Sequence, residues 1–177
     1  MAAGKMTVGL ELYSYLKDKH IKTGFVATGQ VGITVTGKGI PLDAYKLDHA
    51  CGAVEAAVIE QKDKDVVIVE GQGSILHPGS SATLPLMRGT CPTHMILCHI
   101  ARNDSLRSLE NIKIPDLKKF ITLNEELSSV LGTYPKSKVI GVALNTVEMS
   151  DNDAKEFIKN TEKNTGLPTT CLLYTSP

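Results

Sequence analysis

An α/β fold, a three-layer arrangement with helices on both faces of a mostly parallel sheet, is predicted by three observations. Stretches with a helical apolar stripe alternate along the chain with short, β-branched, continuously apolar runs. Gly-rich turns follow several of those runs. The chain is also long enough, at 177 residues with 42% hydrophobic content, to bury one sizeable core.

Taken in order, Met6 to His20 reads as a first helix, with Leu12, Tyr15 and Leu16 on one face, and Gly24 to Thr28 as a strand. A long Gly-rich loop runs from Gly29 to about Ala44. Leu47 to Gln61 is helical by its Leu47, Cys51, Val54 and Val58 stripe, and Asp65 to Glu70 is the clearest strand. Ser80 to Arg88 predicts a short helix, Thr93 to Cys98 a strand, Asp116 to Leu131 a helix, Lys138 to Leu144 a strand and Asp151 to Asn164 a helix. A last strand starts near Thr169. In such a fold, ligands are expected beyond the carboxyl ends of the strands.

Composition narrows the function. Nineteen basic residues balance nineteen acidic ones, so no field gathers nucleic acid or an anionic membrane surface. The absence of Trp, with three Phe and five Tyr, argues against a base-stacking platform. No apolar run approaches the roughly 20 residues of a membrane helix, and no signal peptide opens the chain, so a cytoplasmic protein is expected. Cys51, Cys91, Cys98 and Cys171 show no metal-type spacing.

Gly4-Lys5-Met6-Thr7, opening directly into a helix, looks like the second half of a phosphate-binding loop, whose amides and helix dipole attract anionic oxygen. Such a loop rises out of a buried strand, and only three residues precede Gly4. The first strand is therefore expected to be missing. The plainer reading is a surface lysine beside a helix-capping glycine. At the other end, Cys171 to Pro177 reads as a non-native tail, which leaves 1–170 as one truncated domain; a genuine edge strand is the alternative.

The strongest constellation is Val69-Glu70-Gly71-Gln72-Gly73-Ser74, followed by His77-Pro78. A carboxylate at the end of a buried strand is costly unless it meets a ligand, a cation or a helix N-terminus, and the two glycines admit a ligand to backbone amides. Glu70 suits proton transfer or a water-bridged magnesium ion, and Gln72 and Ser74 suit polar contacts; the alternative is that Glu70 caps a neighbouring helix. Four glycines between Gly29 and Gly39 imply either a ligand pressed to the backbone or a long hairpin turn, with Gln30 and Asp43 as flanking polar groups. His99 and Arg102 follow a strand, where Arg102 suits a carboxylate or phosphate. Asn145 also follows a strand and is either a base-reading amide or a turn former. Ser74, Ser80 and Ser81 lack a nucleophile elbow.

In order and spacing, Gly4-Lys-Met-Thr7, Phe25-Val-Ala-Thr-Gly-Gln30, Gly39-Ile-Pro-Leu-Asp43, Val69-Glu-Gly-Gln-Gly-Ser74, His77-Pro78, Leu97-Cys-His99 and Gly141-Val-Ala-Leu-Asn-Thr146 resemble the D-glutamate N-acetyltransferase-like family. The resemblance implies a domain of P-loop NTPase fold, similar to dethiobiotin synthetase, preceded in the same protein by a Rossmann-like domain. It implies acetyl transfer from acetyl-CoA to the amino group of D-glutamate or a related D-amino acid.

On that basis Gly4, Lys5, Thr7, Gly71, Gly73 and Asn145 are candidates for binding acetyl-CoA. Gly29, Gln30, Asp43, Gln72, Ser74, His99 and Arg102 are candidates for the amino acid, and Glu70 or His77 for the base. A second reading binds ATP at the same place, with magnesium on Thr7 and Glu70, for ligase or phosphoryl chemistry. A third makes the domain a nucleotide-binding or oligomerising module without turnover, and a homo-oligomer is compatible with any of the three.

Overall fold

The computed structural model describes residues 3–106 and 108–171. They fall into two compact units, Lys5–Cys91 and 92–171, the second also taking in the residues before Lys5. Each is described by itself.

The unit Lys5–Cys91 has three layers. Helix α1 (Lys5–Asp18) leads into strand β1 (Thr23–Val26), which pairs in parallel with β2 (Val66–Val69), Thr23 opposite Val66 and Val26 opposite Val69. Alternation along the strands divides the side chains between two faces. Phe25 and Ile68 lie under α1, where Gly9 is buried because a Cβ there would stand 3.1 Å from the Phe25 ring. Tyr13 adds an edge-on contact with Phe25, the ring centroids 5.7 Å apart. Val26, Val67 and Val69 meet α3 (Leu47–Ile59) and α4 (Thr83–Thr90) in a core with Ile40, Leu42, Ala50, Val54 and Leu86. Helices α3 and α4 approach closely at Gly89, whose missing Cβ would lie 2.7 Å from Val54 Cβ.

One segment departs from expectation. The glycine-rich stretch after β1 is not an open loop or a hairpin turn: Gln30–Thr36 is a helix, α2, entered from the extended Gly29 and ended by Gly37 at φ +72°. After it, Gly39 pairs beside Ala27, Ile40 N donates to Ala27 O (2.8 Å), and a short 3-10 turn follows at Leu42–Ala44. Gly39 is required there, since a Cβ would stand 2.9 Å from Ala27 Cβ.

In the unit 92–171, β3 (His94–Ile100), β6 (Lys138–Asn145) and β7 (Thr169–Cys171) form a parallel sheet in that order. Helices α5 (Leu117–Ser129) and α6 (Asp151–Thr165) bury Ile121, Phe157 and Ile158 against Met95, Leu97, Val139, Val142 and Leu144. Local signals set the helix ends. The Asp116 carboxylate accepts Lys119 N–H, the Ser150 hydroxyl accepts Asp153 N–H, and Gly166 closes α6 at φ +73°.

The antiparallel hairpin β4 (Ser105–Leu106) and β5 (Leu109–Lys113) has no sequence expectation behind it. Cys171, assigned from sequence to the tail, is the buried last residue of β7, opposite Leu144 and 2.6 Å from the Thr146 hydroxyl. Residues 172–177, the rest of the expected tail, lie outside the described residues. The α/β class with parallel strands stands, and among the described residues no helix is long and apolar enough to cross a membrane.

Candidate functional site

Because β1 and β2 run parallel and in register, their carboxyl ends bring the segments Thr28 to Gln30 and Glu70 to Ser74 side by side. Glu70 is 7% exposed, and its Oε2 accepts the amides of Thr28 (3.0 Å) and Gly29 (3.2 Å). The Thr28 hydroxyl returns a bond to Glu70 O (2.8 Å). Two peptide N–H donors at the entry to α2 thus satisfy a buried charge that is otherwise expensive. Oε1 receives no hydrogen bond among the described residues.

Several glycines in this region make room for particular side chains. A Cβ on Gly32 would collide with Glu70 Oε2, and one on Gly29 with the Gln72 amide nitrogen. On Gly71 it would stand 2.9 Å from Lys5 Cδ. The Lys5 stem therefore lies across the turn after β2, with its ammonium carried at the first residue of α1, where the helix dipole is positive. Gly4, at φ +91°, turns the chain into that helix. Thr7 is exposed, two residues into α1.

Beyond Gly71 the turn is braced by its own hydroxyls. Gly73 sits at φ +66°, where a side chain would strike the Ser80 hydroxyl. Ser80 Oγ accepts Ser74 N–H (3.1 Å) and shares a hydrogen bond with Thr83 (2.9 Å), whose hydroxyl donates to Gln72 O (3.0 Å). Ser74 Oγ accepts Leu76 N–H (3.3 Å), and His77 Nδ1 accepts Gly79 N–H (3.1 Å). An acceptor role at Nδ1 assigns the ring proton of neutral His77 to Nε2. On the other side of Gly29, Gln30 donates to the Asp43 carboxylate (2.8 Å).

Of the residues singled out from sequence, this unit brings together Lys5, Gly29, Gln30, Asp43 and the run from Glu70 to His77. His99, Arg102 and Asn145 belong to the other unit. There Arg102 pairs with Asp153 (3.1 Å) on the surface, and Asn145 Oδ1 accepts Val147 N–H (3.2 Å), holding the turn after β6. His99 lines a cavity of about 590 Å³ together with residues of the β4–β5 hairpin and α6, and burial holds its imidazole below the ordinary histidine range. Among the described residues, no three His, Cys, Asp or Glu side chains gather as a metal site.

Sequence reasoning gave no separate role to Thr28, Ser80 and Thr83. A hydroxyl residue ending a strand just before a glycine was the signal for Thr28. The other two act only through contacts made in the folded chain, and Gly32, one of the four glycines singled out, makes room for Glu70.

Comparison with known proteins extends this picture. Residues 1–177 match the DUF1611 family, described as a domain of unknown function, P-loop domain. A protein named D-glutamate N-acetyltransferase from Tritonibacter scottomollicae is 32% identical over 168 residues, 94% of this chain and 50% of its own. A second of that name, from a Pseudoalteromonas species, is 30% identical over the same extent. The chain therefore spans about half the length of these curated relatives. A crystal structure of a DUF1611 family protein from Anabaena variabilis superposes with a TM-score of 0.93 at 44% identity, over 96% of this chain and 50% of that one. The chain belongs to the DUF1611 family and carries its P-loop domain.

Proposed function

We propose that this chain forms the phosphate-binding part of an N-acetyltransferase that moves an acetyl group from acetyl-CoA to the amino group of D-glutamate or a related D-amino acid. The observation that carries the reading is the lysine at the start of α1 laid across Gly71, beside the polar turn that ends β2. A cation and a helix N-terminus directed to one place suit the phosphates of coenzyme A. The two relatives of half-length match supply the acetyl-transfer chemistry through their names.

In such a reaction the substrate ammonium loses a proton, its nitrogen attacks the thioester carbonyl, and the coenzyme A thiolate leaves. Glu70 Oε1 is the proton acceptor with free lone pairs, while Oε2 keeps its two amides. His77, as held, carries its proton on Nε2 and serves as a donor. The Lys5 site takes the phosphates of ATP by the same physics, which is the second reading, with Thr7 and Glu70 as the residues that would hold magnesium.

Incubating the full-length protein with acetyl-CoA and D-glutamate, and separately with Mg-ATP, distinguishes these readings. N-acetyl-D-glutamate and free coenzyme A thiol are expected, with Lys5→Ala weakening acetyl-CoA binding about tenfold or more. ADP and phosphate without acetylated product would replace acetyl transfer with the ATP reading. Binding without turnover of either would leave a nucleotide-binding module.

A further inference from the structure

Gly29 keeps a small space open where β1 and β2 end. Two side-chain atoms border the point that its missing Cβ would occupy: the Gln72 amide nitrogen, which that Cβ would strike, and Glu70 Oε1, 3.6 Å away. Neither atom engages a protein hydrogen-bond partner among the described residues. Neither belongs to the buried polar atoms left without a partner in the interior, so both face accessible space. A donor and an acceptor with unspent capacity therefore converge on one point, the arrangement needed to remove a proton and activate a carbonyl at a single reacting centre.

The chemistry of the pair narrows what the space receives. Gln72 is neutral and stands beside a carboxylate, which favours turning the N–H end of its amide toward the space. A substrate carboxylate there would lie against Glu70, whereas a carbonyl oxygen is neutral until it is attacked. We infer that the space over Gly29 seats the thioester carbonyl of acetyl-CoA, with the Gln72 N–H donating to its oxygen, an assignment that rests on the acetyl-transfer reading.

Glu70 Oε1 takes one proton from the substrate ammonium. The amine nitrogen then forms the C–N bond while the carbonyl electron pair moves onto oxygen, where Gln72 holds the new charge beside a carboxyl group that has just become neutral. Collapse restores the carbonyl and breaks the C–S bond. The electron pair leaves with sulfur, and the second nitrogen proton passes to that thiolate. Gln72 is thus a catalytic residue whose bond is stronger in the transition state than in the bound substrate.

Steady-state kinetics of the full-length protein with acetyl-CoA and D-glutamate test the inference through two variants. Gln72→Met keeps the length of the side chain and removes its donor. Gly29→Ala suits the extended backbone at φ −120° and fills the space, pushing the flexible Gln72 amide aside. Each is expected to lower kcat about 100-fold or more, with KM for acetyl-CoA within about threefold of wild type and the melting temperature nearly unchanged. Lys5→Ala, by contrast, is expected to act on KM for acetyl-CoA.

A kcat near wild type in Gln72→Met, a rise in KM for D-glutamate with kcat unchanged, or a loss of activity that only follows a fall in melting temperature would overturn the inference. If the wild type forms N-acetyl-D-glutamate and the variants match it, the carbonyl seat fails and the acetyl-transfer reading survives. A wild-type protein that forms no acetylated product overturns both.

Discussion

Glu70 and Thr28 hold each other by two hydrogen bonds: the Glu70 carboxylate accepts the Thr28 amide at 3.0 Å, and the Thr28 hydroxyl donates to the Glu70 carbonyl at 2.8 Å. The pair locks the carboxyl ends of β1 and β2 together and gives the amide groups before α2 a negative acceptor. Replacing Glu70 with Ala strands buried donors, at about 1–3 kcal/mol each where they stay unsatisfied. Chemical denaturation should register that loss, and the Thr28 and Gly29 amides should exchange faster with solvent.

Glu70→Gln separates support from chemistry. The amide oxygen still accepts from Thr28 and Gly29, so most of the stability should remain, while the proposed proton acceptor is gone. Turnover of D-glutamate acetylation is expected to fall about 100-fold or more. A large fall in melting temperature with turnover near wild type would assign Glu70 to holding α2 alone.

Gly71→Val tests the seat of Lys5. A branched side chain there meets the lysine stem, beginning with a Cβ only 2.9 Å from Cδ. The far end of a lysine moves readily, so the fold should hold while acetyl-CoA affinity drops toward that of Lys5→Ala. Affinity equal to wild type would show that Lys5 acts from another position.

Two substitutions probe the cores. Gly89→Ala drives a methyl toward Val54 and the α3 backbone and should cost about 1–3 kcal/mol through overpacking. Leu144→Ala, at a fully buried position of β6, should cost about 2–5 kcal/mol through lost burial and a cavity. Denaturant titration measures both.

Glu125 and His99 set opposite pH signatures in the unit 92–171. Burial opposes ionisation of Glu125, but hydrogen bonds from Lys138 (2.8 Å) and Val139 N–H (2.9 Å) outweigh it and hold the carboxyl below its ordinary range. Its contribution is therefore present above the unfolded carboxylate value and lost as pH falls through the folded one. Burial lowers His99, so the unfolded chain protonates first as the solution is acidified. Stability should decline as pH falls through the unfolded histidine value of about 6.5 and level off below the folded value. Nuclear magnetic resonance of the His99 ring, alongside unfolding curves for wild type and His99→Gln, checks the second trend; Glu125→Gln checks the first.

Much of this was legible in the residues. The apolar stripe of Leu47, Cys51, Val54 and Val58, the run from Val66 to Val69 and the capping signals at Asp116, Ser150 and Gly166 are local features, and local features specify helices and strands whose apolar face is already written. That Glu70 needs a partner was legible for the same reason, a costly charge at the end of a buried strand.

Only the tertiary structure decided α2, because its first turn has no acidic residue and Gly29 provides no cap; the acceptor for the amides that precede it is Glu70, 42 residues along the chain from Thr28. It also decided the seat of Lys5, which depends on an absent side chain at Gly71. The cavity at His99 needed the β4–β5 hairpin, whose turn carries Ser108 at φ +65° in place of the glycine that would have announced it. In the first two cases the deciding interaction joins residues far apart in sequence, so no local window contains its energy; the hairpin is local but lacks the turn residue that marks one.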